Sequence, residues 1–160
     1  MKTSVLSALL SASLFFTGVA SAQNRRPQAP QLSPAQQAEQ ERQLRAFADR
    51  GDADAQFEMG LRYLTGEGFK KDEKKGVEWL QKAAETGHLR AQYVYGSLFE
   101  DGVTVPKDPA KAVEWYLKAA NGGFPMAQHS VGVAYEIGQG VEKDPKKSAE
   151  WFEKAVAQNY

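Results

Sequence analysis

From residue 53 onward the apolar positions form alternating helical stripes, and the stripes come in matched pairs. The first stripe is Ala55, Met59, Gly60 and Tyr63, an i, i+4, i+5, i+8 pattern that places all four on one helix face. The second is Val77, Leu80, Ala83 and Ala84. The pair then returns twice without an insertion. Ala55, Ala91 and Ala127 share one position, as do Gly60, Gly96 and Gly132, Gly66, Gly102 and Gly138, Asp72, Asp108 and Asp144, and Trp79, Trp115 and Trp151, each set 36 apart. Gln56, Lys71, Lys75, Glu78, Lys82 and Ala83 recur unchanged in both later copies. A fixed period of this length is the mark of a stacked array.

Each copy resolves into two helices. The first is predicted over 54–65, 90–101 and 126–137. Gly66, Gly102 and Gly138 follow it, where a left-handed stop residue is wanted. A mid-helix glycine costs about 1 kcal/mol against alanine. Its recurrence at Gly60, Gly96 and Gly132 points to close approach of two helix backbones. Asp72, Asp108 and Asp144 suit the N-cap of the second helix, with Pro109 and Pro145 just inside two of the starts. Glu78–Lys82, Glu114–Lys118 and Glu150–Lys154 are i, i+4 pairs in the favourable order and predict a solvated face. Upstream, Leu44 and Ala48 lie 36 before Leu80 and Ala84, and Phe47 sits between them. The segment is predicted to be a lone leading helix that caps the first copy's open face. The boundaries are then a cap helix at 35–50 and repeats at 51–86, 87–122 and 123–160.

The residues before the array belong to another class. Met1-Lys2 is followed by an apolar run from Val5 to Ala20 and an Ala20-Ser21-Ala22 cleavage site, which predicts a secretory signal peptide over 1–22. Gln23 to Pro34 is rich in Gln, Pro and Arg and reads as a flexible linker. The expected destination is periplasmic or secreted. Lys2 is the one charge in the leader, so the 20 basic and 20 acidic residues of the whole chain become 19 and 20 once it is removed. No basic surplus advertises nucleic acid or anionic lipid. The chain has no cysteine, hence no disulfide and no lipid-bearing residue at the cleavage site.

The pattern Ala-x-Ala-Gln-Phe-x-x-Gly-x-x-Tyr-x-x-Gly-x-Gly, then Lys-Asp, then Val-Glu-Trp-Leu-x-Lys-Ala-Ala-x-x-Gly, resembles the Sel-1-like repeat, a variant of the tetratricopeptide repeat. The resemblance runs from Ala53 to Asn159. Gly76 stands where alanine is usual, Thr104 replaces the second loop glycine, and Val156 replaces the second alanine of Ala-Ala. The resemblance implies an all-α, right-handed α-solenoid of three 36-residue helix-turn-helix repeats behind a leading cap helix, in an exported bacterial protein. It implies a non-catalytic scaffold that binds a protein or peptide. A cysteine-rich branch of the family is associated with penicillin binding and β-lactam hydrolysis, which makes that activity the competing expectation. Each repeat of that branch carries a disulfide that this chain lacks.

No residues stand out as catalytic, cofactor-binding or metal-ligating. His88 and His129 are the two histidines, and neither has a ligand partner at metal-site spacing. Glu100-Asp101 reads as a solvated helix end. Gly66-Glu67-Gly68 and Gly138-Gln139-Gly140 follow helices rather than strands, so they lack the context of a phosphate loop. In tetratricopeptide-like pairs the first helix lines the concave face. By that geometry Phe57, Leu61 and Leu64 line a groove from the first copy, Tyr93 and Ser97 from the second, and His129 and Val133 from the third. Phe57, Tyr93 and His129 share one column, which fits either an exposed ladder for peptide capture or packing inside the array. The last helix carries Phe152, Val156 and Tyr160 and offers a surface for self-association.

Overall fold

The computed structural model describes residues 33–160. The expected leader at 1–22 and the linker up to residue 32 lie outside the described residues. Seven helices follow, with no strand among the described residues: α1 Pro34–Asp49, α2 Ala53–Thr65, α3 Glu73–Glu85, α4 Leu89–Asp101, α5 Pro109–Asn121, α6 Pro125–Ile137 and α7 Pro145–Val156. Each packs chiefly on its neighbours in the chain. The result is an α-solenoid in which α2–α3, α4–α5 and α6–α7 are the repeats and α1 covers the first.

The helix ends follow local chemistry. Ser33 and Gln36 form a capping box, each side chain bonding the other's backbone N–H, so α1 starts at Pro34, inside the stretch read as linker. Asp72, Asp108 and Asp144 each accept a backbone N–H from the first turn of α3, α5 or α7. Gly66, Gly102 and Gly138 close α2, α4 and α6 in the left-handed region, at φ 79°, 70° and 73°.

The mid-helix glycines are contact points between the two helices of a repeat. A Cβ on Gly96 would sit 2.9 Å from the Tyr116 ring and 3.0 Å from the Ala112 carbonyl. At Gly60 it would meet Leu80, and at Gly132 it would meet Phe152. Gly76 is explained in the same way: a Cβ there would strike Leu64, which stands where the later repeats have Glu100 and Glu136.

The expected face of Glu78, Lys82, Glu114, Lys118, Glu150 and Lys154 is solvated, and two details depart from simple patterning. Phe47 is 55% exposed, and the cap helix instead turns Ala48 and Leu44 toward Ala55, Met59 and Tyr63. The Glu78–Lys82, Glu114–Lys118 and Glu150–Lys154 pairs do not close. Each lysine lies over the tryptophan three residues before it, with Nζ 4.1, 3.5 and 3.8 Å from the Trp79, Trp115 and Trp151 ring centres. The indole face three residues before each lysine and the carboxylate four before compete for one ammonium, and the ring holds it.

Glutamines join the repeats. Gln56, Gln92 and Gln128 are buried, and each donates from Nε2 to the carbonyl eight residues earlier, Ala48, Ala84 and Ala120, in the last turn of the preceding helix. Their recurrence was visible in the sequence, but nothing in spacing shows a bond that reaches back across a junction.

Candidate functional site

The Phe57, Tyr93 and His129 column packs into the array. Phe57 stacks on His88 at 4.7 Å, Tyr93 meets Phe124 at 5.4 Å, and His129 meets Tyr160 at 5.7 Å. Each of these partners lies 31 residues on, at the entry to the next copy or at the chain end. Tyr93 also meets Tyr116, and His129 meets Phe152, both on the second helix of the same repeat. The column is thus a packing device, and it becomes more open at the third repeat, where His129 is exposed.

This corrects part of the expected groove. Leu64, Tyr93 and Ser97 are buried, at 6%, 5% and 0% exposure, and present no surface to a partner. Ser97 donates from Oγ to the Val94 carbonyl in its own helix. Burial pushes the Tyr93 hydroxyl above its ordinary pKa, while a hydrogen bond with Ser130 of α6 works in the opposite direction. Phe57 and Leu61 are half-buried against the core. His129 and Val133 line an open cleft.

That cleft, about 230 Å³, lies between the second and third repeats. Glu100 from the end of α4, Pro109, Val113 and Tyr116 from α5, and His129, Ser130, Val133 and Ile137 from α6 form its walls, and Gln139 closes it from the loop after α6. Both oxygens of Glu100 are held. The Tyr116 hydroxyl donates to Oε2 at 2.7 Å, and Gln139 Nε2 donates to Oε1 at 3.2 Å. Burial, and then the Glu100 charge, push the Tyr116 hydroxyl far above the ordinary tyrosine range, so it stays a donor. The loop carrying Gln139 is pressed against α5: Gly140 has φ +75°, and a Cβ there would run into the Pro109 carbonyl. Only glycine allows that approach.

Sequence reasoning missed Glu100, Ser130, Ile137 and Gln139. They sit at columns where the copies differ. Glu100 and Glu136 stand opposite Leu64 of the first copy, Ser130 opposite Val94, and Gln139 opposite Glu67 and Val103. Loss of repeat symmetry was the available signal, because the packing frame itself is uniform.

Nothing in the cleft forms a nucleophile–base pair. His88 is a helix cap: its Nδ1 accepts from the Ala91 N–H at 3.0 Å and its Nε2 contacts Asp54 Oδ1 at 2.9 Å. Among the described residues no group of three or more His, Asp or Glu side chains is placed to hold a metal ion.

A model of the Sel1 repeat matches residues 53–88, 89–124 and 125–160. Among solved structures, the crystal structure of a Sel1 repeat protein from Oxalobacter formigenes is 43% identical, with a TM-score of 0.73 over 76% of this chain and 91% of that one. The c5321 protein, a protective antigen of uropathogenic Escherichia coli strains displaying an SLR fold, is also 43% identical, with a TM-score of 0.72 over 74% of this chain but 26% of that one. Cysteine rich protein B of Helicobacter pylori shares the fold at 20% identity, with a TM-score of 0.62 over 82% of this chain and 95% of that one. Comparison with curated proteins gave no match.

Proposed function

Because the chain belongs to the Sel1 repeat family, whose members generally act as protein-interaction scaffolds, we propose that it is a non-catalytic scaffold that takes an extended segment of a partner protein in the cleft between its second and third repeats. The observation that carries this reading is the cleft itself: apolar walls at Val133 and Ile137 around a tethered carboxylate. Pockets for drug-sized ligands and cofactors span roughly 300–1,000 Å³. A cleft of about 230 Å³ suits one long side chain of a larger partner.

A photo-crosslinking side chain placed at Val133 is expected to yield a discrete protein adduct in the native host, whereas the same group at Glu114, exposed on α5, is not. Equal adducts from both positions, or none from Val133, overturn the reading. The purified chain is expected to leave the β-lactam nitrocefin intact, and hydrolysis that tracks the pure protein would restore the enzymatic alternative.

The proposed setting is periplasmic or secreted, after cleavage between Ala22 and Gln23. Its support is the basic start, the apolar run and the Ala-x-Ala site. Among the described residues no helix is long and apolar enough to cross a membrane. Intact-mass measurement of the protein from its host tests the cleavage, and a dominant species retaining residues 1–22 refutes it.

A further inference from the structure

We propose that the cleft selects a basic side chain, so that the segment it takes carries a lysine or arginine whose cation meets Glu100. The proposal rests on the partner-binding reading above and names the chemistry of that partner. Glu100 is half-buried at the end of α4, and both its oxygens are fixed by neutral donors, the Tyr116 hydroxyl and the Gln139 amide. Neither donor brings a positive charge. Among the described residues no lysine, arginine or histidine forms an ion pair with Glu100. The carboxylate is therefore oriented, partly desolvated and uncompensated, while each oxygen keeps capacity for a further donor.

The walls favour the same occupant. Val133 and Ile137 are apolar, Val133 is half-buried, and Ile137 is 54% exposed. Long basic side chains lay their methylene stems along such surface while the charged head reaches a polar group. An apolar side chain in the same place would cover the carboxylate without bonding it, which is penalised. An acidic one would meet like charge. A cation instead forms a charge-assisted hydrogen bond, roughly twice as strong as a neutral one. The first junction has no such site, because buried Leu64 stands where the second has Glu100.

The test pans the purified chain against an immobilised library of random short peptides. The expected result is enrichment of lysine or arginine at one peptide position. Replacing that residue by norleucine, which keeps a stem and removes the charge, is expected to weaken binding about tenfold or more. Glu100→Gln is expected to make the two peptides bind alike. Should that variant fold poorly, His129→Lys puts a cation at the exposed rim and is expected to remove the basic preference, while giving up the ring contacts with Phe152 and Tyr160. Captured peptides with no basic preference, or a norleucine peptide that binds equally well, overturn this inference and leave the scaffold reading standing. No capture at all, together with no adduct from Val133, overturns both.

Discussion

A hydrogen atom in place of a side chain sets the spacing of each helix pair. Gly96 lies against the Ala112 carbonyl and the Tyr116 ring, and the backbone contact cannot be relieved by turning a rotamer. Gly96→Leu is therefore expected to destabilise the fold by about 1–3 kcal/mol or more. Glu114→Leu, on an exposed position of α5, is expected to stay within about 0.5 kcal/mol. Equal thermal melting points for the two variants would refute the close-approach account. Tyr93 stands at the other extreme of size. It is buried among Tyr116 and Phe124, so Tyr93→Ala is expected to lose about 3–5 kcal/mol. A melt that barely moved would return Tyr93 to the binding surface. Such residues also mark how far the chain could be read. The glycines were legible because a helix-interior glycine has few uses, and three in register have fewer. The depth of Tyr93 was not legible, because one column holds a half-buried Phe57, a buried Tyr93 and an exposed His129.

At the scale of the element, the second helices depend on their caps. Asp72 and Asp144 accept backbone N–H groups at the starts of α3 and α7. Those bonds, from Lys75 to Asp72 and from Lys147 to Asp144, are the main cause holding both carboxyls below the ordinary value of 3.8, and desolvation opposes them. The sign of the pH dependence follows. A group with a depressed folded-state pKa contributes stability that is full above its unfolded pKa and is lost as pH falls through the folded one. The loss belongs to the acid range below about pH 4. Asparagine caps a helix nearly as well and carries no proton to titrate. The Asp72→Asn, Asp144→Asn double variant should then lose less of its urea midpoint than the parent between about pH 5 and about pH 3. Parallel losses would show that the caps do not favour the charged form. These helix starts were plain in the sequence because aspartate at a stop-and-start point has a local cause. The first helix begins at Pro34, one residue before the expected start at 35, where Ser33 and Gln36 close a capping box. The cleft was less legible still. Glu100 is assigned by geometry to Tyr116 and to Gln139, 39 residues away, and no local pattern predicts the second bond.

At the scale of the molecule, stability belongs to junctions as much as to repeats, since each unit packs chiefly on its neighbours. The core is divided unevenly. One cluster runs from Leu64 and Leu80 through the second repeat to Val131, while Ala48, Ala55, Met59 and Tyr63 form a smaller one under the cap helix. The smaller cluster buries fewer side chains and is held to the second repeat through α3 and α4. Gln92 crosses that junction: its Nε2 bonds the Ala84 carbonyl at 3.1 Å, while its buried Oε1 has no partner. The bond and the orphaned oxygen oppose each other, each worth about 1 kcal/mol or somewhat more. Removing the whole side chain adds a cavity, so Gln92→Ala still loses stability. The loss should not spread evenly, because the junction couples two units rather than stabilising one. Native-state hydrogen exchange resolves units that open separately. In the parent, amides of α1 and α2 are expected to open at lower free energy than those of α4 and α5. Gln92→Ala should lower the opening free energy of α1, α2 and α3 while leaving α6 and α7 nearly unchanged. Uniform loss of protection in all seven helices would mean that the three repeats unfold as one unit and that the glutamine ties do not partition the array.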